Sequence, residues 1–178
     1  MKRILTLAIA VLASTGAAIA ANWQIRDIDI LVQLRGDGTA LIREIWDMNA
    51  NEGTEVYIPR ENLGDIEISS FTVQDESGRS FVSEDYWNTN RSLEAKAGRC
   101  GINDTGRGVE LCWGLGSYGD HVFTIQYIMS NAVKSLNDYD MLHLQLVNDR
   151  MAAAPEHVRV RIEAPGRQID DSWVRMWG

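Results

Sequence analysis

The sequence predicts an all-β fold, an antiparallel β-sandwich that is immunoglobulin-like in general architecture, with about eight or nine short strands. Period-two alternation of apolar and polar residues recurs in successive short runs, and turn residues separate those runs. No long stretch carries helical periodicity. One sheet cannot bury both faces of so many half-apolar strands, so two sheets are expected to pack face to face.

The first pair of strands sets its own register. Ile28, Ile30, Val32 and Leu34 share one face, and Asp27, Asp29 and Gln33 the other. Gly36-Asp37-Gly38 reads as a three-residue hairpin loop with Arg35 opposite Thr39. That pairing sets Val32 opposite Ile42, Ile30 opposite Glu44 and Ile28 opposite Trp46, and a one-residue slip would break the match. Residues 55–58 form a short strand expected to stop at Pro59. Residues 65–74 change phase across Ser69 and Ser70, which predicts a bulge. A turn over residues 75–78 leads into a strand over 79–82, and residues 92–97 are a further strand candidate. Residues 108–113 form the second arm of a cysteine hairpin. Phe123, Ile125, Tyr127 and Met129 mark the next strand, Leu142, Leu144 and Leu146 another, and Val158, Val160 and Ile162 the last, closed by Pro165-Gly166. Residues 151–154 hint at one helical turn before Pro155.

The amino terminus reads as an address. Lys2 and Arg3 precede an apolar run over residues 4–13, and small residues end in Ala18-Ile19-Ala20, the pattern of a secretory signal peptide. The run is short for a bilayer span of about 20 residues. The expected organisation is a signal peptide over 1–20, a sandwich domain over 21–166 and a tail over 167–178, read as the start of a continuation. Export places the domain on the periplasmic or cell-surface side. Membrane attachment would come only through a segment absent from this chain.

The formal charge is −8, and removing Lys2 and Arg3 from the 17 basic side chains leaves −10. This balance excludes a sequence-independent nucleic-acid binder and adhesion to an anionic lipid surface. Cys100 and Cys112 flank a turn string, Asn103-Asp104-Thr105-Gly106. A hairpin centred on Gly106 sets the two directly opposite each other, and a disulfide closing so small a loop would contribute about 3 kcal/mol. The competing reading is two small strand residues that stay reduced. Two cysteines without a paired histidine spacing do not make a zinc site.

Glu44 is the most unusual residue, a carboxylate on the face of Ile42 and Trp46 that must find a partner or become neutral. His121, His143 and His157 have no spacing that forces convergence, and surface positions are expected for them. Gly36-Asp37-Gly38 lacks the further acids of a calcium loop. No nucleophile, metalloprotease or phosphate-loop motif occurs. The reading is therefore no catalytic residue, no metal and no cofactor. The six tryptophans suit a core or a partner surface. Trp87 lies in a polar stretch and is the tryptophan expected at the surface. Glu44, Trp46 and Trp87 are the expected ligand or partner contacts, the partner being an unknown protein or a glycan.

Residues 113–127, the Gly36-Asp37-Gly38 hairpin followed by Arg43-Glu44-Ile45-Trp46, residues 144–149 and residues 158–165 together resemble the predicted membrane protein family, domain of unknown function 2207. The resemblance implies an exported β-rich amino-terminal domain followed by transmembrane helices and a cytoplasmic tail. It implies no activity and no catalytic residue. Two functional readings follow. The first is a non-catalytic extracytoplasmic module with a binding, sensing or assembly role. The rival is a secreted carbohydrate-binding or hydrolytic domain, which needs an aromatic and two carboxylates converging on a cleft. A structural adhesion module with a long unprotected edge strand is a third.

Overall fold

A computed structural model describes residues 22–148, 151–166 and 175. The expected signal segment lies outside the described residues, as does the tail apart from Arg175. The described chain is all-β, with eleven strands and one four-residue helix. The strands are β1 (Trp23–Leu34), β2 (Ala40–Ala50), β3 (Glu55–Glu61), β4 (Ile68–Gln74), β5 (Val82–Glu84), β6 (Arg99–Asp104), β7 (Gly108–Gly114), β8 (Gly119–Met129), β9 (Val133–Ser135), β10 (Asp140–Leu142) and β11 (Pro155–Glu163), with helix α1 (Leu93–Lys96) between β5 and β6.

A five-stranded sheet has the order β11-β1-β2-β8-β4, a four-stranded sheet the order β3-β7-β6-β5, and β9 and β10 form a small hairpin. Most pairs are antiparallel, as expected, but β1 with β11 and β5 with β6 are parallel, which makes both larger sheets mixed. The first hairpin has the predicted register: Val32 opposite Ile42, Ile30 opposite Glu44 and Ile28 opposite Trp46. Arg35 donates to the Thr39 carbonyl at 2.9 Å, and Gly38 closes the loop at φ 83°, a backbone region that favours glycine. The bulge falls where the phase change put it, with the register shifting between Ser69 and Thr72 and Ser70 at φ 55°.

The core lies between the two larger sheets. From β2 come Ile42, Trp46 and Met48, from β8 Phe123, Ile125 and Tyr127, and from β7 Leu111 and Trp113, all buried. Trp113 meets Trp46 and Phe123 edge to face at 5.8 and 5.7 Å between ring centres, the offset that aromatic quadrupoles prefer.

Four local expectations are corrected. Strand β3 continues through Pro59 to Glu61, because β3 is an edge strand and a missing N–H is tolerated there. Residues 92–97 are a helical turn, since the Ser92 side chain accepts from the Ala95 N–H and caps it. Of the strand expected over Leu142, Leu144 and Leu146, only Leu142 pairs with a neighbour, as the last residue of β10. Residues 151–154 are bends and coil rather than a helical turn.

The expected disulfide is also corrected. Cys100 pairs with Trp113, and Cys112 pairs with Gly101. This one-residue offset sends the two side chains to opposite faces of the sheet, and both thiols are free and buried. Burial pushes the Cys100 thiol up to about 11 and raises Cys112 further still. Thiol reagents are expected to leave both cysteines untouched in the native protein and to titrate both after denaturation without reductant. Thiols still blocked in denaturant would contradict this register.

Candidate functional site

Strand alternation delivers Glu44 into the core between Ile42 and Trp46, fully shielded from water. Three side chains from three strands meet it. Trp46, two residues along β2, donates its indole N–H to Oε2 at 2.9 Å. Tyr127 on β8, diagonally across from Glu44, donates its hydroxyl to Oε1 at 2.7 Å. Arg60 on β3 reaches across from the second sheet, placing Nη2 2.6 Å from Oε1 and 2.6 Å from the Tyr127 hydroxyl. Its other donors go to that hydroxyl at 3.1 Å and to the carbonyls of Pro59 at 3.3 Å, Gln145 at 3.4 Å and Leu146 at 3.5 Å. Burial, with Glu44 beside it, pushes the Tyr127 phenol well above its ordinary value, and Arg60 opposes that rise. Chemically this is a closed ion pair. Both carboxylate oxygens are occupied, and no face is left for a substrate.

A second buried charge sits at the other end of β3. Lys96, the last residue of α1, is 1% exposed. Its ammonium donates to the Thr54 hydroxyl at 2.7 Å and to the Thr89 carbonyl at 2.7 Å, and it forms an ion pair with Glu55 Oε2 at 2.9 Å. Trp87 donates its indole N–H to the same Glu55 oxygen, and its ring lies 5.9 Å from the ammonium. The helix comes this close to β7 because Gly114 has no side chain: a Cβ there would lie 2.0 Å from the Lys96 carbonyl oxygen. Glu84 anchors the excursion carrying α1 by pairing with Arg91 at 2.6 Å and Arg99 at 2.9 Å.

Next to Trp46 the inter-sheet packing opens into a cleft of about 330 Å³. Trp23, Met48, Val56, Tyr57 and Met151 line it, and Glu55 is the one charged residue lining it among the described residues. The expected contacts therefore separate. Trp46 lines the cleft, Glu44 is sealed behind it, and Trp87 is 1% exposed. The expected surface position of Trp87 is corrected, because its indole is drawn inward by Glu55 and Lys96. His121 is also buried rather than at the surface, stacked on Phe123 with Nε2 2.9 Å from the Ser117 carbonyl. Among the described residues, no group of three His, Cys, Asp or Glu side chains is placed to hold a metal. Sequence reasoning missed Arg60, Glu55 and Lys96. Arg60 was discoverable: continuing the alternation of Val56 and Ile58 past Pro59 puts it on their face.

A family model described as "Predicted membrane protein (DUF2207) N-terminal domain" matches residues 24–178. The chain belongs to this family. No curated protein matches the sequence. Two solved structures have local similarity. A putative protease from Parabacteroides distasonis is 12% identical over 62% of this chain and 23% of its own length, with a TM-score of 0.31. An M1 zinc metallopeptidase from Deinococcus radiodurans, solved with a bound Tyr-Ser-Ala substrate, is 11% identical over 64% of this chain and 22% of its own, also with a TM-score of 0.31. The chain spans less than a quarter of either protein. Among the described residues of this DUF2207 domain, no helix is long and apolar enough to cross a membrane.

Two predictions follow from these charges. Arg60→Met leaves Glu44 buried without its cation and is expected to cost about 3–5 kcal/mol in denaturant unfolding. Adding Glu44→Leu should recover most of that loss, and simple additivity of the two changes would contradict the ion-pair assignment. Arg91, through its hydrogen bond, and Arg99 hold the Glu84 carboxyl below its usual range. Because the folded pKa is depressed, the clamp's stabilisation is present above the ordinary glutamate pKa and is lost as pH falls through the lower folded value. Amide exchange over residues 84–99 is expected to accelerate in that acid range, and Glu84→Gln should remove that dependence.

Proposed function

We propose that this chain is a non-catalytic, extracytoplasmic module of a membrane protein, with a binding, sensing or assembly role. The observation that carries the non-catalytic reading is the saturation of Glu44. The one acid that the strand pattern delivers to the inner face is spent on Trp46, Tyr127 and Arg60. An acid catalyst needs an oxygen that substrate can reach. The extracytoplasmic side is supported by the basic start, apolar run and Ala18-Ile19-Ala20 of the first twenty residues. Membrane association is supported by the family description.

The carbohydrate-binding or hydrolytic reading is the weaker one. Its acid faces an arginine within the core, and Trp87, the tryptophan expected at the surface, is covered.

The module reading is tested on the full-length gene product in its own membrane. Protease added to spheroplasts is expected to digest the domain while a cytoplasmic marker survives, and the mature chain should begin near Ala21. A protected domain that retains residues 1–20 would overturn the assignment of side. Photo-crosslinkers at the exposed Tyr86, Tyr118 and Tyr139 should capture a reproducible partner if the role is binding or assembly.

A further inference from the structure

Strand β11 carries its apolar residues on the face that β1 turns to the core. Val158, Val160 and Ile162 stand opposite Ile28, Ile30 and Val32. The three β1 residues are 2, 3 and 0% exposed, and their β11 neighbours 41, 42 and 36%. Among the described residues β11 is the outermost strand on its side of the five-stranded sheet. A long edge strand with an apolar strip is a template for a further strand. Arg159 and Arg161 lie on its other face, where Arg159 pairs with Asp29 and Arg161 with Glu163.

The chain itself supplies the complement. It turns at Pro165 and Gly166, with Gly166 at φ 81°, and the family match runs on to residue 178. Residues 167–174 lie outside the described residues. From the pattern of that segment we infer that residues 168–173 pair antiparallel with β11 and cover its apolar strip. With Pro165 and Gly166 at the centre of the turn, Ile169 falls opposite Ile162, Trp173 opposite Val158 and Asp170 opposite Arg161. The first two pairs share the inner face and the third lies on the outer one, so apolar and charge matching select the same register. A slip of one residue would set Asp170 against Ile162 and Ser172 against Val160. Asp171 is the polar residue of the inner face, and at the outermost strand its carboxylate keeps its water. The short turn already holds the two segments together, so this docking costs far less ordering entropy than capture of a separate chain. Because β11 runs parallel to β1, the added strand leads the chain back toward Trp23 and away from the Gly36-Asp37-Gly38 loop.

Alternate N–H groups of a strand point to its two sides, so β1 alone protects only every second amide of β11. Hydrogen exchange on the whole chain, followed by NMR, is expected to show every N–H from His157 to Ile162 protected. NOEs should join the Trp173 indole to the Val158 methyl groups. Ile169→Asp should release only the amides that β1 does not hold, with exchange at least about tenfold faster, a change of about 1.4 kcal/mol. Arg161→Glu, at a side chain 69% exposed, leaves the core untouched and should release the same amides, and adding Asp170→Arg should restore their protection. Free exchange of that second set in the unaltered chain, or a Trp173 indole without contact to β11, would overturn the inference. Protection that rises with protein concentration would overturn it too, because it would assign the strip to a second copy.

Discussion

The structure depends on the requirement that a carboxylate taken out of water be fully paired. Two ions leaving water each lose several kcal/mol of hydration, and their attraction repays this only with good geometry and every remaining donor and acceptor satisfied. Glu44 meets that condition by drawing Tyr127 from its own sheet and Arg60 from the opposite one. The interaction therefore joins β2, β8 and β3. Arg60 extends it further, since its last donors hold the carbonyls of Gln145 and Leu146. That contact gives a physical reason why β10 stops at Leu142 and does not continue through Leu144 and Leu146 as expected. Their backbone is anchored to a guanidinium instead of a ladder, while the leucines still pack against the core.

A buried pair of this kind is a weak argument for stability. Well-packed apolar residues in its place are often as stable or more so. The pair does penalise misregistration. Strand β3 is an edge strand with an interior proline, and apolar alternation alone specifies its position weakly. A one-residue slip would turn Arg60 outward and leave Glu44 buried alone. The charge thus supplies the register information that Pro59 weakens.

Legibility in the sequence followed the range of the interaction. The β1–β2 hairpin was readable because loop, register and apolar face all lie within one contiguous stretch. The bulge at Ser69 and Ser70 was readable because a phase change is local. The cysteine pairing was not, because the turn residues allow a centre that differs by half a residue, enough to send Cys112 to the other face. Two of the three partners of Glu44 lie 16 and 83 residues away, and alternation places each on an inner face without bringing them together. Trp87 misled for a related reason. Its neighbours in sequence are polar, but its neighbours in space are Lys96 and Glu55, brought there by a capped turn and a glycine. Strand β11 is the reverse case. Its apolar alternation was read correctly, yet Val158, Val160 and Ile162 remain 41, 42 and 36% exposed on the parallel edge of the sheet.

The second charged cluster meets the same requirement differently. Here the sealed ion is the cation: Lys96 is 1% exposed, whereas the Glu55 side chain beside it keeps 18% of its surface. A carboxylate that still touches water retains part of its hydration, so the fold has only to complete the lysine. It does so with the Thr54 hydroxyl, the Thr89 carbonyl and Glu55 Oε2, and the Trp87 indole donates to that same oxygen. Those groups come from the start of β3 and from the segment before α1. They meet because Gly114 leaves room for the Lys96 backbone and the Glu84 pairs with Arg91 and Arg99 hold the excursion in place. Glu44 thus ties the two sheets together, while Lys96 ties the one helical turn to the edge of the smaller sheet.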